Sequence, residues 1–223
     1  MRAEYTEVWV AEQNVPLARF AARARSIGST GLDLIELGMA DDSILRGFDE
    51  IFSWYGTGRI EFRQAVSHLP FRFFPALPPG GMHAVDFYLN QVGAPLGAVP
   101  RFPVERWDGG FVAVHPYSGS QRKNWPVENF QELARRMKME WCHERFSDLH
   151  DLAKWLAGAR LFVGNDSGIG HLAAAVGTPV VSIFGPTDPE VWAPRGARVV
   201  PMEATVDEVE RIVIDCLRCG TSS

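Results

Sequence analysis

An α/β protein built from two parallel-sheet units is the fold class this chain predicts, and three observations carry it. Strand-like apolar runs alternate with helix-like amphipathic runs along the 223 residues, and such alternation builds parallel sheets flanked by helices. A joint at residues 93–110, with Pro95, Gly97, Pro100, Pro103 and paired glycines, interrupts the alternation as a linker would. An apolar strand at Leu161, Phe162 and Val163 then runs into residues 164–186, GNDSGIGHLAAAVGTPVVSIFGP, which encode polar turn, alanine-rich helix and second strand.

In chain order, Glu7–Val10 reads as a short strand, residues 16–25 as a helix, 32–35 as a strand and 49–54 as a further strand. Residues 60–68 are helix-like. Residues 71–74 are short and apolar, and Pro75, Pro78, Pro79, Gly80 and Gly81 then break the chain. Residues 82–92 place Val85, Tyr88, Leu89 and Val92 on one helical face. Beyond the joint, 111–115 is a strand. Residues 126–137 are a helix with Pro126 at its first position, where a missing N–H costs nothing. Residues 147–157 are a helix capped by Ser147. The last helix opens at Thr205 with Glu208 three residues on, a capping box, and its apolar stripe is Val206, Val209, Ile212, Val213 and Leu217. The expected domains are 1–93, a linker over 94–110, and 111–223.

Composition narrows the function classes. Hydrophobic residues at 46% allow a sizeable core, and a net charge of −5 argues against broad nucleic-acid binding. No apolar run approaches the ~20 residues of a membrane helix. Residues 1–10 lack the apolar stretch behind a basic start that marks a secretory leader. A cytoplasmic protein is expected. Cys142, Cys216 and Cys219 are too few and too scattered for a disulfide framework, and the Cys216/Cys219 pair has no second ligand pair or preceding strand; it reads as two thiols on a terminal helix.

The chemistry concentrates in two loops. The apolar strand at Leu161, Phe162 and Val163 runs into a turn that sets Asp166, Ser167 and Gly168 at a helix start, with His171 one turn further on. Free N–H groups and the positive end of the helix dipole suit an anion such as phosphate there. Residues 115–126, HPYSGSQRKNWP, also follow a strand and precede a helix. They offer the hydroxyls of Ser118 and Ser120, a flexible Gly119, and the cations Arg122 and Lys123, an inventory that suits a diphosphate. A solvated polar loop is the competing reading of this segment alone. Placed at a neighbouring strand end of the same sheet, the two loops together favour the phosphate. His83 is either a cleft-lining group or a helix cap, and Trp192 either flanks a base with Pro194 or anchors the core. A hydrolase triad from Ser118, His171 and Asp166 fails for want of a G-x-S-x-G elbow.

HPYSGSQRKNWPVENFQELARRM and LAKWLAGARLFVGNDSGIGHLAAAVGTPVVSIFGPTDPEVWAPRG resemble the C-terminal half of glycosyltransferase family 9, which includes the heptosyltransferases of lipopolysaccharide core synthesis. The resemblance is strong over residues 111–218 and weak before them. It implies a GT-B-like architecture of two Rossmann-like domains, the N-terminal, acceptor-side one incomplete. It implies an inverting transferase that moves a sugar, heptose in most members, from a nucleotide-diphosphate donor such as ADP-heptose to a lipid-linked saccharide at the membrane surface. No metal and no cofactor beyond the nucleotide sugar is implied, and the location becomes the cytoplasm at the inner membrane face. By position, Ser118, Gly119, Ser120 and Lys123 match the phosphate loop, and Asp166, Ser167, Gly168 and His171 match the turn at diphosphate and sugar.

Two departures from the family bear on activity. The chain opens at what resembles the family's second strand, without the glycine-containing loop that carries the acid usually assigned as base. The segment 138–148, KMEWCHERFSD, is compressed, and Glu144 stands where the family places an acid near the ribose. The alternative to an active transferase is therefore a non-catalytic or truncated nucleotide-sugar-binding relative. An open sheet edge in the N-terminal domain invites a second copy of the chain, so a homo-oligomer is expected.

Overall fold

The computed structural model describes residues 4–142 and 146–219. Two compact units divide the chain, Met1–Pro79 and Gly80–Ser223. The division falls ahead of the proline- and glycine-rich stretch 93–110, which runs with the second unit.

In the first unit, β1 (Glu7–Val10) pairs in parallel with β2 (Arg23–Ser26), followed by the single turn α1 (Ile27–Thr30). A second parallel pair joins β3 (Ile51–Ser53) to β4 (Phe71–Phe73) through α2 (Ile60–Ala65). Both pairs are short, and their small core is Leu32, Leu45, Phe62, Val66 and Leu69, with Trp9, Ile51, Phe71 and Phe73 packed against it. Phe62 meets Tyr55, Phe71 and Phe73 edge-on. Gly56 has a φ of 71°, and a Cβ there would lie 2.3 Å from the Phe62 ring, so only glycine fits.

Two sequence expectations give way in this unit. Residues 16–25 do not form one helix. Pro16 lies in a 3-10 turn, Glu12–Leu17, where its missing N–H stops a longer helix. Arg23–Ser26 is drawn instead into the ladder with β1, where Glu7 pairs with Arg25 and accepts from the Trp9 indole at 2.7 Å. Residues 32–35 are not a strand. Leu32–Leu37 is a 3-10 helix flanked by Gly31 and Gly38 in left-handed conformation, which turns Leu32 and Ile35 onto the same core.

The second unit opens with α3 (Ala84–Gln91) and is built on a five-stranded parallel sheet. Its elements are β5 (Phe111–His115), α4 (Val127–Met137), β6 (Glu140–Trp141), α5 (Leu149–Leu156), β7 (Ala159–Asn165), α6 (Gly168–Ala175), β8 (Val180–Phe184), α7 (Pro189–Trp192), β9 (Arg198–Pro201) and α8 (Val206–Cys219). β5, β7 and β8 are buried almost end to end, as a parallel sheet covered on both faces requires. On one face Val112, Val114, Leu161, Val163, Val181 and Ile183 pack with Phe130 and Leu133 of α4 and Val209 and Val213 of α8. Full burial of each such side chain contributes about 1.5–3 kcal/mol. α5 and α6 pack on the sheet from β7 and β8.

Sheet order fixes where a ligand can sit. The strands run β6-β5-β7-β8-β9. The chain leaves β5 toward one edge to make β6, then crosses back to lay β7 on the other side of β5. In open α/β sheets, that reversal opens a crevice outside the carboxyl ends of the two strands. Val114 lies opposite Val163 and His115 opposite Gly164, so β5 and β7 end side by side.

Helix starts follow local chemistry. Pro126 occupies the N-cap rather than the first turn of α4. Asp148, not Ser147, caps α5: its carboxylate accepts from the N–H of His150 at 2.8 Å and of Asp151 at 2.9 Å. Ser147 instead donates to Asp151. The capping box on α8 forms as expected, with Glu208 accepting from Thr205 N at 2.8 Å and Thr205 Oγ1 accepting from Glu208 N at 3.3 Å. Among the described residues no helix is long and apolar enough to cross a membrane.

Candidate functional site

The loop after β5 is folded by its own side chains. The Ser118 hydroxyl lies 2.8 Å from the Ser120 carbonyl and 2.7 Å from Asn124 Oδ1, and it accepts from Ser120 N at 3.3 Å. Gly119 stays exposed and Ser120 half-buried at the bend. A 3-10 turn, Gln121–Lys123, then aims Lys123 back over the sheet edge.

The turn after β7 is held to this loop by a side chain the sequence reading passed over. Asn165 is fully buried. Its Oδ1 accepts from Trp125 N at 2.9 Å, and its Nδ2 donates to the Pro116 carbonyl at 2.5 Å and lies 3.4 Å from Asn124 Oδ1. The two strand ends are thus stitched by one amide. Gly164 permits the close approach: a Cβ there would lie 2.8 Å from the His115 carbonyl oxygen.

Asp166 is the polar centre. It is 6% exposed, accepts from Lys123 Nζ at 2.8 Å and from Thr187 Oγ1 at 2.7 Å. Lys123 follows β5, Asp166 follows β7 and Thr187 follows β8, so three successive strand ends of the sheet meet in one bonded chain. Ser167 caps α6, accepting from Gly170 N at 3.5 Å, and Gly168 is exposed at the helix's first position. His171 stays solvent-exposed on the same turn. The protein atoms crowded around its ring lower its pKa below the ordinary 6.5, opposed by the nearby Asp166 carboxylate and a hydrogen bond to the Trp192 backbone. At the end of β5, His115 is likewise lowered by burial and meets the Tyr117 ring edge-on.

Of the residues singled out from sequence, Lys123 and Asp166 touch, and Ser167, Gly168 and His171 lie on the turn Asp166 opens. Ser118, Gly119 and Ser120 form the bend that delivers Lys123. Glu144 lies outside the described residues. Sequence reasoning missed Asn124, Asn165 and Thr187. Thr187 carried a signal, since it stands in F-G-P-T-D-P immediately past a strand end; the two asparagines carried none beyond adjacency to the loops. The close group Asp148, His150 and Asp151 is committed elsewhere: Asp148 caps α5 and Asp151 pairs with Lys154 at 3.0 Å.

Comparison with known proteins fits this geometry. The family profile of glycosyltransferase family 9 (heptosyltransferase) matches residues 147–217. Over that segment the chain is similar to glycosyltransferase family 9, the heptosyltransferase family. The segment matched runs from α5 through the Asp166 turn and Thr187 into α8. Lipopolysaccharide heptosyltransferase 1 of Pseudomonas aeruginosa is 38% identical over 93 residues, 30% of this chain and 26% of that protein. Its counterpart in Escherichia coli O18:K1:H7 is 28% identical over 138 residues, 50% of this chain and 42% of that protein. The family 9 likeness therefore spans less than half the length of these curated relatives. Among solved structures, E. coli ADP-heptose LPS heptosyltransferase II superposes with a TM-score of 0.73 over 97% of this chain and 90% of that one, at 15% identity. The E. coli heptosyltransferase WaaC, solved with ADP, gives 0.62 over 93% and 89% at 16% identity. The α/β fold is that of the GT-B heptosyltransferase structures over nearly the whole chain.

Proposed function

We propose that the second unit binds a nucleotide-diphosphate sugar, ADP-heptose, at the crevice between β5 and β7, and that the reaction is inverting transfer of heptose to a lipopolysaccharide or other cell-envelope saccharide. The observation that carries the reading is the meeting of Lys123, Asp166 and Thr187 beside the start of α6. Asp166 consumes part of the Lys123 charge, which divides the labour. The remaining ammonium N–H groups and the α6 N-terminus receive the diphosphate. The Asp166 carboxylate, an acceptor only, receives sugar hydroxyls. That WaaC has been solved with ADP and with ADP-2-deoxy-2-fluoro heptose supports the choice of nucleotide.

In the reaction, an acceptor hydroxyl attacks the anomeric carbon from the face opposite the diphosphate. The bond from that carbon to the phosphate oxygen breaks, and its electron pair stays on the leaving ADP. Lys123 and the α6 N–H groups are already in place for the negative charge that develops there. The hydroxyl proton passes to a base.

The base is where a second reading gains support. In the first unit, Glu7 pairs with Arg25, Glu36 with Arg59, Asp42 with Arg46 and His68, and Glu50 with Arg72. Glu12, exposed at the start of the turn after β1, is the nearest in context to an acid on a strand-to-helix turn. A donor-binding protein with slow or no transfer would look the same. Titration calorimetry with ADP, UDP and GDP, followed by transfer from ADP-heptose to heptose-deficient lipopolysaccharide, tests both. ADP binding with transfer supports the enzyme, and ADP binding without transfer supports the binding protein. No binding of any nucleotide diphosphate would remove both.

A further inference from the structure

The segment that follows α7 is fastened from two sides, and only one of them belongs to the donor turn. His171 of α6 faces the Trp192 backbone, a contact that favours its protonated form. The very next residue is held by His83, whose Nε2 lies 2.9 Å from the Ala193 carbonyl oxygen. His83 is also the N-cap of α3, its Nδ1 accepting from Val85 N at 3.2 Å. Because Nδ1 accepts, the ring proton sits on Nε2 and the bond to Ala193 is a donation. One turn along α3, Asp86 reinforces the same fastening. It lies 2.6 Å from the Arg195 guanidinium and accepts from Gly97 N at 2.8 Å, and these partners hold its carboxyl below the usual range. Buried Pro194 lies between the two fastened residues.

We infer that His83 is a positioning residue: with Asp86, it latches the Trp192–Arg195 segment so that His171 and the turn it stands on are set for the nucleotide sugar. The inference rests on the donor-site reading above. It assigns work to α3, an element far from the site in sequence. A histidine suits the post because it caps and donates at once. Asparagine caps a helix as well but is too short to reach Ala193, and alanine does neither.

That difference supplies the test. His83→Ala and His83→Asn are compared with the parent by ADP titration and by hydrogen exchange of the amides of Trp192, Ala193 and Ala197, which bond to Asp188, Pro189 and Pro194. Both variants should lose ADP affinity by roughly three- to ten-fold, the worth of one hydrogen bond, and exchange these amides faster. Only His83→Asn should keep parental protection in α3. Restored ADP affinity and protection in His83→Asn would show that capping alone matters and overturn the latch. Unchanged amides in both variants would overturn it as well. If the parent binds no ADP yet the amides still loosen in both variants, the latch stands and the donor-site reading fails.

Discussion

Lys123, Asn165, His115 and His171 each have a distinct job at the site, and each can be removed singly. Lys123→Ala should weaken ADP binding by about 1.5–3 kcal/mol, the size of a hydrogen bond to a charged group. It should also lower thermal stability, because the buried Asp166 carboxylate then keeps only the Thr187 hydroxyl as a side-chain partner. A variant that binds ADP like the parent would show a surface charge and nothing more. Asn165→Ala should act on the fold alone. It strands the Trp125 N–H inside the protein, and an unsatisfied buried group costs about 1–3 kcal/mol, so denaturant titration should register the loss even without ligand. His115 and His171 are both lowered from 6.5 by desolvation. Below about pH 6.5 the unfolded chain takes up these protons before the folded one, so stability falls as pH drops through that window and is flat above it. His171 is open to solvent, so His115 should account for most of the slope. A melting temperature that does not change between about pH 7.5 and pH 5.5, or a His115→Gln variant with the parental slope, would remove this account.

At the scale of single elements, caps and paired strands show what a sequence does and does not reveal. Asp148→Ala should cost about 1 kcal/mol and Ser147→Ala markedly less, since Asp148 takes two backbone N–H groups of α5 and Ser147 none. Equal losses would mean that the Ser147–Asp151 bond carries the cap. Ser and Asp are equally good caps by type, so only the φ and ψ of Asp148, extended just before the helix, decide between neighbours. In the second unit β5, β7, β8, α4, α6 and α8 were legible, while β6, α7 and β9 were not read from the sequence. Its central strands β5, β7 and β8 are largely apolar, α4 and α8 carry a clear stripe, and Thr205 and Glu208 announce α8, whereas the edge strands Glu140–Trp141 and Arg198–Pro201 are short and polar at their ends. The first unit was less legible. β2 reads Arg-Ala-Arg-Ser and exists through its ladder to β1 and the Glu7–Arg25 pair, which are tertiary facts. Leu32–Leu37 has a strand's composition, and the two glycines that flank it decide for a turn. At the site, the loops and Lys123 could be read because charge and glycine are unusual between apolar runs. Asn165 could not, because its role is set by which strand lies beside β7.

For the molecule as a whole, the two units should differ in stability, and the nucleotide should report on only one of them. Gly80–Ser223 holds a five-stranded sheet with helices packed on it and a core that includes Trp125, Phe130, Leu133, Leu161 and Ile183. Met1–Pro79 holds two separate two-stranded pairs over a core of five buried residues. A two-stranded pair is marginal without further packing, and a small unit buries a smaller fraction of its surface. Urea should therefore unfold the chain in two steps, with amides of β1 to β4 exchanging before those of β5, β7 and β8. ADP binds only the folded second unit in the proposed function, so it should raise the midpoint of the later step by the amount its affinity and concentration dictate and leave the earlier one unmoved. Hydrogen exchange with and without saturating ADP separates the cases residue by residue. A single transition with uniform protection would mean that the two units unfold as one. A rise in protection across β1 to β4 on adding ADP would mean that the first unit takes part in holding the nucleotide, and the donor site would then have to be extended beyond the β5–β7 crevice.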